Sequence, residues 1–202
     1  MGRPSNKTER RGQISDALMR VMAKTGYAGA SVATVAREAG LTPGLVHYHF
    51  KSKLEILLHM LEGILQDHHG RLSAAIERAG DAPRAQLMAY LDVHLATGAS
   101  ADPDAMASWV MLGAEAIRNE EVRGAYAAAL RRGAVVLREI IEAGVRSGDF
   151  VCADPQSAAA ALTALIQGYF DLAVTARDLI PRGSASAAAK SASAGLLGLP
   201  EH

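Results

Sequence analysis

One cysteine, Cys152, stands in a chain of 202 residues. A single thiol excludes an internal disulfide and any metal site built from several cysteines, and it fits a reducing cytoplasm. Aromatic side chains make up only 4% of the chain, and alanine is abundant, a balance that favours closely packed helices over a sheet. The first thirty residues are polar and basic without a long apolar run, so no signal peptide is expected. No stretch is expected to reach the eighteen or so apolar residues of a membrane span, the longest candidate, residues 158–166, being interrupted too soon. No strand-like alternation and no internal repeat is evident. Also missing are G-x-S-x-G, H-E-x-x-H, a phosphate-cradling glycine loop and clustered carboxylates. An enzyme is therefore not expected, nor a cofactor. An all-helical small-molecule enzyme or a metal-binding bundle stays as the alternative, since His47-Tyr48-His49 could seed a metal site if a distant carboxylate joined it.

What is present begins with a hidden asymmetry of charge. Lysine plus arginine and aspartate plus glutamate both number 21, a net charge of zero. Residues 1–55 nonetheless hold nine cations against four anions, net +5, leaving −5 for the remainder. A basic head on an acidic body points the head at a polyanion, because each phosphate neutralised releases condensed counterions.

Within that head, residues 31–53 read S-V-A-T-V-A-R-E-A-G-L-T-P-G-L-V-H-Y-H-F-K-S-K. Ser31 caps a short helix whose Val32, Val35, Ala36 and Ala39 form one apolar face. Gly40 stands where a helix ends in a left-handed residue. Thr42 caps a second short helix, and Pro43 fits its first turn because no N–H is needed there. Ser52 and Glu55 are spaced as a capping box for a longer helix. Two short helices joined by a glycine turn are the helix-turn-helix signature. On the second helix Val46 and Phe50 share the core side, which leaves Gly44, Leu45, His47 and Tyr48 to press into a DNA groove. The expected DNA-contacting set is Ser31, Thr42, Pro43, Gly44, Leu45, His47, Tyr48, His49 and Lys53, the last placed where a helix start could meet a phosphate.

The run A-T-V-A-R-E-A-G-L-T-P-G-L-V-H-Y-H-F-K-S-K-L-E-I-L resembles the DNA-binding head of TetR-type transcriptional regulators. Matching positions include Val35, Ala36, Ala39, Gly40, Gly44, Tyr48, Phe50, Lys53 and Leu57, over about the first quarter of the chain. The family usually carries Tyr where this chain has His47. The resemblance implies an all-α protein, with an N-terminal three-helix helix-turn-helix head joined to a larger helical ligand-binding and dimerisation body. It makes a repressor the expected role.

The division is drawn at residues 1–52 for the DNA-binding domain and 53–202 for the regulatory domain. A basic arm with Arg3, Pro4 and Lys7 precedes a first helix from residue 8 or 9 to 25, and Arg10 and Arg11 near its start are candidates for phosphate contact or solvated surface. A long helix follows over residues 53–79, with Leu54, Leu57, Leu58, Leu61, Ile64, Leu65 and Leu72 turned inward. Further helices are expected over residues 83–99, 102–119, 120–147 and 155–178, then a short one in the tail. His68 and His69 diverge by about 100° on one helix and cannot easily ligate one ion together.

In the body, Tyr90, His94, Met106, Trp109, Met111, Tyr126, Tyr169 and Phe170 are the candidate ligand-pocket residues, since pockets in helical bundles form from inward side chains of this kind. Ala160, Ala164 and Gly168 recur every four residues with Ala161 beside them, a stripe that permits close helix approach and a homodimer. A single short recognition helix reads few bases, and two-fold duplication supplies the rest. The sequence thus predicts a cytoplasmic, dimeric regulator of a double-stranded DNA operator that answers to an unidentified small-molecule effector, with no membrane partner.

Overall fold

A computed structural model describes residues 6–95, 103–181 and 183–199, and among these every regular element is a helix. In chain order they are α1 (Asn6–Gly29), α2 (Val32–Glu38), α3 (Pro43–His49), α4 (Lys53–Ala79), α5 (Pro83–Leu95), α6 (Pro103–Ala116), α7 (Glu120–Ser147), α8 (Pro155–Thr175) and α9 (Ser184–Leu196). The expected arm residues Arg3 and Pro4, and the expected end of α5 and start of α6 near residues 99 and 102, lie outside the described residues.

Local chemistry sets most boundaries. Asp154 caps α8, accepting from the Ser157 N–H at 3.0 Å, and Pro155 opens the first turn. The Asn119 side chain accepts from the N–H groups of Glu121 and Val122 at the head of α7. Gly26 takes φ +70°, ψ 170°, so the helical path of α1 is interrupted there, and one more turn follows it to Gly29.

The chain divides into two compact units. The first comprises residues 1–67 and 102–126, and its core joins Ile14, Leu18 and Met22 of α1, Val35 and Ala36 of α2, Val46 and Phe50, and Ile56, Leu57 and Leu61 of α4 to Leu112, Ala116 and Val122. Within this unit α6 packs on α1. Ile56 and Met60 are also buried, a wider buried face on α4 than the leucine pattern suggested. The second unit comprises residues 68–101 and 127–202. In it α5 packs on α8 and α9, around Leu87, Leu91, Leu137, Ile141, Leu162 and Ile166. Asp92 of α5 fastens α9, accepting from Ser186 Oγ at 2.6 Å and Lys190 Nζ at 2.7 Å.

α8 corrects one expectation. By length and composition it is apolar enough to cross a membrane. Its Ala158, Ala159, Leu162 and Ile166 are buried in the core of the second unit, whereas Ala160, Ala161, Ala164 and Gly168 remain exposed. Much of the apolar character thus belongs to small side chains on the open face.

Candidate nucleic-acid interface and regulatory sites

The two short helices owe their geometry to caps inside residues 31–42. Ser31 Oγ accepts from the Thr34 N–H at 3.1 Å while the Ser31 N–H donates to Thr34 Oγ1 at 2.8 Å, a reciprocal cap. Gly40 adopts φ +67°, which closes α2 and turns the chain. Thr42 Oγ1 accepts from the Leu45 N–H at 3.3 Å, starting α3 with Pro43 in its first turn. Val46 and Phe50, 0% and 2% exposed, anchor α3 to the core. Thr42, Pro43, Gly44, Leu45, His47 and Tyr48 are all exposed, Tyr48 at 77%. A Cβ placed on Gly44 would meet nothing within 4 Å. One open face of α3 therefore holds six of the nine residues expected at DNA, and Ser31 is exposed at the start of α2.

The other two lie differently. His49 is buried at 8% exposure and its Nδ1 has no hydrogen-bond partner; it shares the Val46–Phe50 side of the helix, which corrects the expectation that it faces DNA. Lys53 turns back onto the last turn of α1 and the loop after it. Its ammonium donates to the carbonyls of Tyr27 at 2.8 Å and Ala30 at 2.7 Å and lies 4.0 Å from the centre of the Tyr27 ring. Two of its three N–H groups hold protein carbonyls, so pinning that loop is the contact Lys53 makes in the structure.

Arg11, expected at phosphate or solvent, is also structural. It lies 4.0 Å over the Phe50 ring and donates to the His49 carbonyl at 2.6 Å and to Glu55 at 3.3 Å. Gln13 donates to the Ala39 carbonyl at 2.8 Å, so α1 grips the C-terminal ends of both short helices. The expected capping box is half made: the Glu55 N–H donates to Ser52 Oγ, while the carboxylate accepts from the Lys51 N–H at 2.8 Å. That N–H first, then Arg11, holds the Glu55 carboxyl below its ordinary range. Arg37 and Lys51 are exposed cations beside the reading face that the sequence argument did not single out.

The expected pocket residues fall in both units. Within the first unit Trp109 and Tyr126 lie ring to ring, centroids 4.5 Å apart and tilted by 33°. Gly113 makes room for the Tyr126 hydroxyl, which a Cβ would approach to 3.1 Å. Burial pushes the Tyr126 phenol upward. Met106 and Met111 are half-buried on the same helix as Trp109. Within the second unit Tyr90 is 2% exposed and its hydroxyl donates to the Gly133 carbonyl at 3.1 Å. Its ring stacks on His94, and His94 meets His68. Tyr169 and Phe170 are partly buried against the same core. Among the described residues no three of His, Cys, Asp or Glu gather in a metal-binding group.

Comparison with known proteins matches the head and the remainder of the chain separately. Residues 14–60 match the family described as bacterial regulatory proteins of the tetR family, and residues 83–198 match the BetI-type transcriptional repressor C-terminal family. The HTH-type transcriptional regulator BetI of Rhizobium meliloti is 30% identical over 163 residues, covering 80% of this chain and 76% of that protein. Its counterpart in Agrobacterium fabrum is 33% identical over 114 residues, 56% of this chain and 54% of that relative, about half its length. A transcriptional regulator of Saccharomonospora viridis, solved in complex with choline, superposes with TM-score 0.79 at 26% identity, over 93% of this chain and 95% of that one. The helix-turn-helix head and the matching C-terminal region together place the chain in the TetR family of bacterial transcriptional regulators, with a C-terminal region of the BetI type.

Proposed function

We propose that this regulator is a dimeric repressor that sits on a double-stranded operator in the cytoplasm and leaves it when a small organic cation binds the regulatory region. The observation that carries the DNA half is the open face of α3. Leu45, His47 and Tyr48 stand clear of the core, and Gly44 lets the helix backbone approach the groove. Thr42 and Pro43 at its N-terminus and Ser31 at that of α2 fall where backbone N–H groups favour phosphate oxygens. Arg37, Lys51 and the remaining N–H of Lys53 supply cations for the phosphates. The exposed stripe Ala160, Ala161, Ala164 and Gly168 supports dimerisation, since small side chains let two helices approach closely. Two copies would then present their α3 helices to successive major grooves, about 34–36 Å apart.

The effector class rests on the tilted ring pair Trp109–Tyr126, whose ring faces attract a cation, and a quaternary ammonium most readily of all. Choline in the Saccharomonospora regulator agrees with it. An effector that favours a head spacing unlike that of the grooves would release DNA. The test begins with selection of a bound duplex from a random pool, followed by gel-shift titration with choline. Release of the duplex by choline, abolished in Trp109→Ala, is the expected result. A protein that selects no duplex would refute the DNA reading. A selected duplex that choline never displaces would refute the effector class alone.

A further inference from the structure

Two histidines of the second unit converge in a way that neither DNA recognition nor the Trp109–Tyr126 pair uses. His68 on α4 and His94 on α5 bring their Nε2 atoms to 3.0 Å, with ring centroids 4.5 Å apart and planes at 67°. The other nitrogen of His94, Nδ1, lies 2.8 Å from the Tyr90 carbonyl oxygen. A carbonyl only accepts, so Nδ1 carries the hydrogen and the Nε2 lone pair of the neutral ring is aimed at His68. His68 Nε2 then holds the proton between them. Tyr90 keeps this arrangement rigid: its ring stacks on His94 at 4.3 Å and 27°, and its hydroxyl donates to Gly133 of α7.

This is the arrangement of a metal-ligating histidine, whose outer N–H is held by a backbone carbonyl so that the inner nitrogen keeps its lone pair. Burial first, then His94, Arg71 and His69, holds His68 down at about 4, and burial likewise lowers His94. A metal binds the neutral form of each ring. Distance selects the ion. With metal–nitrogen bonds of about 2.0–2.1 Å, nitrogens near 3 Å apart subtend about 90–95°, whereas tetrahedral zinc would hold them near 3.4 Å. An angle near 90° is the cis angle of a tetragonal ion.

We propose that His68 Nε2 and His94 Nε2 form the protein half of a site for a tetragonal divalent transition metal, Cu(II) or Ni(II). Water completes the coordination, both rings being only half-buried. On binding, the proton at His68 Nε2 leaves and Nδ1 of the same ring takes one up, so both imidazoles stay neutral and no net proton is released. Arg71 and His69 are the charged and titratable groups of α4 that act on the pair. Tyr90 faces it from α5, and no carboxylate is among the groups acting on either ring in the described residues.

The experiment is calorimetric titration of the full-length protein with NiCl2, with Cu(II) electron paramagnetic resonance on the same samples. One site per chain is expected, with superhyperfine splitting from two imidazole nitrogens. Affinity should fall at least tenfold in His68→Gln and in His94→Gln, and stay unchanged in His69→Gln and His47→Gln. The wild-type spectrum does not depend on whether the variants fold: a signal with one nitrogen or none overturns the assignment. So does wild-type Ni(II) affinity in His94→Gln, or a pair that stays hydrogen-bonded and takes up no metal. Operator binding plays no part in these readings, so they stand apart from the repressor proposal.

Discussion

Replacing Lys53 by Met keeps the aliphatic stem and removes the ammonium, which isolates what the charge does. In the structure that ammonium makes two hydrogen bonds to carbonyls and lies over the Tyr27 ring. A charge-assisted bond contributes about 1.5–3 kcal/mol, and an accessible cation–π contact about 0.5–1 kcal/mol. Lys53 is only half-buried, so solvent screens part of this, and contributions around one side chain do not add fully. The carbonyl of Ala30, a residue 3% exposed, gains no replacement donor from Met. A loss of about 2–4 kcal/mol follows, which in a chain of this length lowers the unfolding temperature by on the order of 5–10 °C. Calorimetry of the free protein reads this directly, and an unmoved transition would refute the pin between Lys53 and the α1–α2 loop. The third N–H is tested separately, on DNA, at a temperature where both proteins are folded. A phosphate contact there should reduce the logarithmic salt slope by about 0.9 per head. Equal slopes would refute the phosphate contact and leave the loop pin standing.

Three further outcomes are expected. A Cβ at Gly168 meets nothing within 4 Å in one chain, so Gly168→Leu should leave the fold of each chain intact but drive α8 off a second copy; sedimentation velocity should show monomer where the wild type is dimeric, and an intact dimer would move the interface elsewhere. Tyr48→Ala and His47→Ala remove exposed side chains, so each should weaken operator binding in a gel shift by about tenfold while the unfolding temperature moves by no more than about 2 °C; undiminished binding would take the α3 face out of the groove. Because the Lys51 N–H and then Arg11 hold Glu55 below its ordinary value of 4.5, its stabilising effect is full above that pH and is lost as pH falls through the lower folded value. Glu55→Gln should therefore flatten the acid dependence of melting in that window, and parallel wild-type and variant profiles would count against the Glu55 contacts.

The parts of this molecule that the sequence disclosed are those whose causes lie within a few residues. Ser31, Gly40, Thr42 and Pro43 each act on backbone at most three positions away, so the helix-turn-helix could be laid out from spacing alone. The start of α8 at Asp154-Pro155 and the span of α7 were legible for the same reason. His49 was misplaced although the information was local. Residues 46, 49 and 50 share one helical face, and reading H-Y-H as a unit set that periodicity aside. Lys53 is a different case, because its partners are Tyr27 and Ala30, 26 and 23 residues away. A cation beside a reading helix looks alike in sequence whether it meets a phosphate or a carbonyl of its own fold.

The same limit explains where the regulatory residues went. Eight large side chains scattered through alanine looked like one pocket, since size and polarity are all that a sequence shows of them. Tertiary packing places them by helix: α6 enters the first core through Leu112 and Ala116 and brings Trp109 to Tyr126, while α5 joins the second core with Tyr90 and His94 stacked one turn apart on its own face. His68 shows the point most clearly. Beside His69 in the chain it has no chemistry to share, because neighbours on a helix diverge. Across the gap to His94, 26 residues on, two ring nitrogens meet at hydrogen-bonding distance. The Tyr90 carbonyl that sets the His94 tautomer lies one turn away on α5, but the nitrogen its lone pair meets comes from α4, and neither segment read alone contains that pair.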